Sequence, residues 1–296
     1  MSDGQRRRAD EPTTIGKQIM GVFGQGNDTP RDTAPPWGRR RARIKVSPIF
    51  IGIVALAVIG GVATWRGFGN TSAAVFVFVL ASYFAVLCLH EFGHAYAAYR
   101  AGDSSVEARG YLDLNPLRYL NPVLSILLPV FYLAIGGLPL PGGAVVVNRG
   151  AARARWQASL ISASGPLGNI VFAGLSIAAI AIWAPTNGGE LTDQHYEFWS
   201  AVCFFAYIQV AVSLLNLIPV PGLDGYGIIE PYLRYETRRG LEPIRPYGIL
   251  LVLVLLLFLP PVRTAFSDAI DSILTSCGVP QGGPGTGQYF FQFWRS

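Results

Sequence analysis

The stretch VLCLHEFGHAYAAYR, residues 86–100, decides how the rest of the chain is read. It is apolar around most of a helix, as a membrane span or a core helix is, yet it carries two histidines and a glutamate. His90 and His94 are one helical turn apart, about 40° around the axis, so both imidazoles can reach a single point. Glu91 projects from the adjoining face. This is the H-E-x-x-H spacing, in which two histidines hold zinc and the glutamate takes a proton from a water that the metal acidifies. The plainer alternative is a structural histidine pair. Against it stands the carboxylate, since an acidic residue in the bilayer core costs about 2.5–3.5 kcal/mol on insertion scales unless something holds it.

Working outward, the apolar run begins near Ala73, and five similar runs surround it. The candidate membrane segments are 49–65, 73–99, 122–135, 158–183, 201–220 and 247–259. With 51% hydrophobic and 14% charged residues in 296, the chain is too apolar for an ordinary soluble domain. The expected fold is an all-α polytopic membrane protein with about five to six transmembrane helices. A span needs roughly 20 apolar residues, so 122–135 is short. It contains Pro129 and lies between Asn121-Pro122 and Gly136-Gly137, which suits a re-entrant segment.

The net charge of +5 does not indicate nucleic acid, because the arginines gather at the ends of apolar runs and not along one face. They act as topology signals. GRRRARIK before the first span places the amino end in the cytoplasm, and the segments bearing Arg100, Arg109 and Arg118, then Arg149, Arg153 and Arg155, then Arg234, Arg238, Arg239 and Arg245 follow on the same side. The loop with Glu190, Asp193 and Glu197 has no Lys or Arg and reads as external. Residues 1–46 read as a disordered basic tail with no apolar core of a signal peptide, 47–266 as the membrane domain, and 267–296 as a Gly-rich and aromatic tail suited to interfacial anchoring. Cys88, Cys203 and Cys277 are too few and too scattered for a disulfide framework or zinc knuckle.

Two histidines make an incomplete site, because catalytic zinc has three protein ligands and an open position. His195 falls in the external loop. Asp224, in NLIPVPGLDG, lies at the inward end of its span, where Pro219, Pro221, Gly222 and Gly225 break the helix at membrane depth. It is the candidate third ligand; an Asp-Gly turn is the alternative. ASGPLGNI, residues 163–170, belongs to the same level. Gly165 and Gly168 suit close helix packing, and Asn169 has either a packing role or a polar role near substrate.

HEFGH at 90–94, GPLGN at 165–169 and NLIPVPGLDG at 216–225 together resemble the site-2 protease family of intramembrane zinc metalloproteases, in its small bacterial type. The resemblance implies that His90, His94 and Asp224 bind Zn2+, that Glu91 is the base, and that Asn216, eight residues before the aspartate, steadies the substrate backbone or oxyanion. It further implies transmembrane protein substrates in regulated proteolysis, within the lipid bilayer of a bacterial plasma membrane. LNPLR at 114–118 and LPLPGGAVVVN at 138–148 extend the likeness, and Asn148 is a candidate substrate contact. There is no room for an inserted PDZ or CBS domain. Two other functions compete: a catalytically silent scaffold of the same fold, which would not need all four chemical groups, and a zinc transporter or sensor, which would string His and acidic residues through several helices.

Overall fold

The computed structural model describes residues 44–119, 151–192 and 195–295, all in one compact unit, 35–296. Asn148 and the re-entrant segment expected at 122–147 lie outside the described residues.

Among the described residues, five elements are long and apolar enough to cross a membrane. Helix α1 is Pro48–Arg66 and α2 is Thr71–Ala101. Two short helices follow, α3 (Ser105–Ala108) and α4 (Pro116–Tyr119). Helix α5 is Arg155–Trp183 and α6 is Tyr196–Leu217, with the β1 (Thr186–Asn187) and β2 (Glu190–Leu191) hairpin between them. The hairpin is a small addition to the all-α expectation. After α6 come α7 (Asp224–Ile229), α8 (Tyr235–Leu241) and α9 (Gly248–Phe258), then α10 (Pro260–Ser276) and α11 (Gly282–Phe291). The fifth apolar element is Tyr235–Phe258, so the short run at 247–259 gains length upstream.

Local sequence explains the helix ends. Ser47 caps α1, its hydroxyl accepting from Phe50 N–H at 3.1 Å and donating to the Leu114 carbonyl at 3.0 Å, and Pro48 sits at the first helical position. Asn70 caps α2 through Ala73 N–H at 2.9 Å, and Gly102, in the left-handed region at φ 116°, ends it. Between those caps α2 runs 31 residues. At 1.5 Å per residue it is about 46 Å long, against a hydrocarbon core of roughly 30 Å. His90 lies about 28 Å along it from Thr71, so the H-E-x-x-H turn falls toward the far edge of a bilayer that the helix crosses.

The packing is that of a membrane bundle. On α5, Ser162, Gly165, Asn169, Ala173 and Ser176 are small or polar and buried, with Ile161 and Ile180 at the two ends of the stripe, whereas Leu160, Leu167, Ile170, Val171, Leu175 and Ile182 are exposed. Large apolar side chains outward and small ones inward is the pattern expected where lipid is the solvent. Helix α6 is the central post, buried on nearly all sides and packed against α1, α2, α5, α10 and α11. The carboxyl-terminal residues join this bundle: α10 is one helix through position 266, its Ile270 and Leu274 buried against α6, and Phe291 of α11 sits in a core with Val75, Val79 and Phe204.

Candidate metal centre

Three backbone features bring the site together. Helices α2 and α5 touch where Gly93 meets Ser164; a Cβ on Gly93 would stand 2.8 Å from the Ser164 carbonyl oxygen. Helix α6 stops at Leu217, and the chain turns through 218–223, with Gly222 at φ 101°, before α7 begins at Asp224. Gly225 then packs so closely on the end of α6 that a Cβ there would collide with the Leu217 carbonyl oxygen. Ser159 on α5 donates to the Ile228 carbonyl at 2.6 Å and ties α7 to the same helix pair.

The result is a triangle of donors. His90 Nε2 and His94 Nε2 are 3.1 Å apart, and Asp224 Oδ2 is 3.3 Å from the first and 3.4 Å from the second. Among the described residues this is the group of three able to hold a metal ion. Tetrahedral zinc has bonds of about 2.0–2.2 Å, and donors at that radius are separated by about 3.3 Å. The three edges therefore match one face of such a tetrahedron and leave the fourth position open. Both histidines are buried, and Asp224 is the partly exposed member of the three.

The outer partners fix which nitrogen faces inward. His90 Nδ1 lies 2.6 Å from Asn169 Oδ1, and His94 Nδ1 lies 2.7 Å from the Ile161 carbonyl. Both partners are acceptors, so each Nδ1 carries the proton and donates, leaving each Nε2 with a lone pair. Two lone pairs and a carboxylate oxygen then face one another inside a bundle. That arrangement is repulsive until a cation joins it, and it suits zinc. Gly165 provides the space: a Cβ there would stand 2.6 Å from His90 Nε2 and closer still to His94 Nε2. The residues present thus fit the metal that the sequence implied.

The remaining candidates fall as follows. Glu91 is 3% exposed and near enough to His94 to act on it electrostatically. Asn216 is buried in the last turn of α6, just before the chain breaks toward Asp224. Asn169 is at the site, bonded to His90. His195 belongs to another region, stacked on Trp65. Sequence reasoning missed Gln209, on the middle of α6, whose Oε1 accepts from Asn169 Nδ2 at 3.0 Å. Its signal was a lone amide in the apolar run FFAYIQVAV.

Relatives carry the names of zinc metalloproteases. "Putative zinc metalloprotease Rip2" of Mycolicibacterium smegmatis is 40% identical over 261 residues, covering 86% of this chain and 97% of that protein. The protein of the same name in Mycobacterium tuberculosis is 39% identical over 266 residues, covering 86% and 96%. "Putative zinc metalloprotease YwhC" of Bacillus subtilis is 28% identical over 204 residues, 65% of this chain and 88% of its own length. No protein-family model and no solved structure matches. With the His90–His94–Asp224 triangle, the apolar bundle and relatives of this extent, the chain belongs to the site-2 protease family of zinc metalloproteases.

Proposed function

We propose that the protein is an intramembrane zinc endopeptidase that hydrolyses peptide bonds of transmembrane proteins, as a step of regulated proteolysis. The observation that carries the reading is the triangle of His90, His94 and Asp224, with edges of 3.1–3.4 Å, beside the buried carboxyl of Glu91. Those three residues would hold zinc, which when bound would supply acidification of a water and polarisation of a carbonyl.

The chain's own groups do the rest. Glu91 takes a proton from the attacking water as the C–O bond forms, and delivers it to the departing nitrogen as the C–N bond breaks. Asn216 donates to the carbonyl oxygen of the bond being cut, where charge develops. A substrate helix hides its carbonyls in hydrogen bonds, so it unwinds locally before it is cut. The broken backbone at 218–223 offers a place at the end of α6 where an unwound segment can lie. Asn148 remains a candidate contact for that segment.

In this reading the amino end and the metal centre lie toward the cytoplasmic face of a bacterial plasma membrane. The support is the alternation of arginine-bearing segments with the acidic loop at 190–197. The test is a comparison of new protein amino termini in membranes from cells making the wild-type chain or Glu91→Gln. Termini inside transmembrane segments, present with wild type and lost with the variant, are the expected result. Termini confined to soluble domains would contradict the intramembrane reading.

A further inference from the structure

The segment after the Asp224 helix carries positive charge that no described residue balances. Arg234 immediately precedes α8, and Arg238 lies one turn on, its N–H bonded to the Arg234 carbonyl at 3.1 Å, so the two share one face of the helix. Like charges four residues apart repel, and a cation ahead of the first turn opposes the helix dipole. Among the described residues, neither arginine makes a side-chain ion pair or hydrogen bond, nor does Arg239 beside them, and Arg238 Nε is buried without an acceptor. Glu236 falls on the opposite side of the turn. Arg245 engages Glu230 at 3.2 Å and Glu242 at 3.4 Å. This face of α8 lacks an anion.

The surroundings indicate which anion fits. Tyr232, Tyr235 and Tyr247 are 58%, 64% and 64% exposed. From Gly248 onward α9 turns Leu250, Leu251, Val254, Leu257 and Phe258 outward. Exposed tyrosines and arginines directly before a lipid-facing apolar run mark the headgroup level of a bilayer. The start of α5 belongs to the same level: it packs on the turn Glu230–Tyr232, and its Arg155 and Trp156 are exposed ahead of Leu160 and Leu167. A lipid phosphate lies at this depth whenever the chain is in a membrane. Several positive charges favour a headgroup of net negative charge over one whose phosphate is already balanced by its own ammonium.

We propose that Arg234 and Arg238, with Arg239 beside them, bind the headgroup phosphate of an anionic phospholipid at the metal end of the bundle. Arg238 is near enough to Tyr226, two residues past Asp224, to act on its hydroxyl electrostatically, so the lipid site adjoins the metal-bearing turn. The proposal goes beyond the protease reading and needs neither zinc nor cleavage to be tested.

The test is native mass spectrometry of the full-length chain in detergent, titrated with phosphatidylglycerol or with phosphatidylcholine. The wild type should hold phosphatidylglycerol more tightly than phosphatidylcholine. Arg234→Gln/Arg238→Gln should weaken phosphatidylglycerol binding about 25-fold, roughly fivefold per charge, with thermal unfolding to monitor the fold. Arg234→Gln alone, at an exposed position, gives the same answer at about fivefold if the double variant unfolds. Arg263→Gln on α10, also exposed, makes the same change in net charge and should leave the affinity as it was. Equal wild-type affinity for the two lipids, or unchanged phosphatidylglycerol affinity in the arginine variants, would overturn the proposal. So would an equal loss in Arg263→Gln, which would reduce the effect to net charge. Inorganic phosphate that displaces the lipid at equal concentration would make this a site for a soluble anion instead.

Discussion

The two ends of the bundle use the same residue types for opposite purposes. At the metal end, Gly165 stands against the Nε2 atoms of His90 and His94. At the other end, Gly287 of α11 packs on the Ser200 carbonyl and on Phe204, and Gly283 on Cys203 Sγ. Both let helices approach closely, but only the first leaves its space beside lone pairs. The histidines differ likewise. His195 lies flat on Trp65, ring centroids 3.5 Å apart, and its Nδ1 donates to the Trp65 carbonyl at 2.9 Å, next to Phe198 and Trp199. His90 and His94 stand at 80° to each other and direct their nitrogens to one point. A glycine or a histidine is therefore informative only together with what its empty space or lone pair faces.

The sharpest way to break this comparison is a single methyl group at each end. Gly165→Ala puts a carbon against both Nε2 atoms, and we expect zinc content of the purified protein to fall at least a hundredfold, with peptide-bond cleavage lost alongside. Retention of zinc would show that the space beside Gly165 is not the metal's. Gly287→Ala also forces helices apart, at a cost of about 1–3 kcal/mol of stability, read as a lowered unfolding temperature. Zinc stoichiometry should not change.

Between those extremes lies Glu91→Gln. The amide cannot take the water's proton, so cleavage of a candidate transmembrane substrate should drop about 10²–10⁴-fold, while zinc stays bound. Undiminished cleavage would remove Glu91 from its role. The smallest effect is expected from His195→Ala, which loses a stacked ring worth about 0.5–1.5 kcal/mol. Its zinc content should equal that of wild type; any loss would join two ends that the structure keeps apart.

How much of this was legible in the sequence depends on whether the signal is local. H-E-x-x-H is a fixed spacing on one helix, and the Pro and Gly residues around Asp224 break a helix at a place where breaks are costly, so both could be read directly. The spans at 49–65, 73–99, 158–183 and 201–220 match α1, α2, α5 and α6 because apolar length is also a local property. Gln209 could not be assigned, since its meaning comes from Asn169, 40 residues away. The glycines of residues 282–287 read as a linker, because nothing local distinguishes a flexible glycine from one that flattens a helix face. In α11 Gly283 and Gly287 do the latter, and Phe291 of the same helix lies in the core.

The central claim is that Asp224 joins the two histidines at one zinc ion, and metal analysis of the detergent-purified chain tests it most directly. The account predicts one zinc per chain in the wild type and its loss in Asp224→Ala, with the fold retained by thermal unfolding. Wild-type zinc in Asp224→Ala would contradict it, and would leave the 3.3 Å and 3.4 Å approaches of Asp224 to the histidines as an ordinary ion pair.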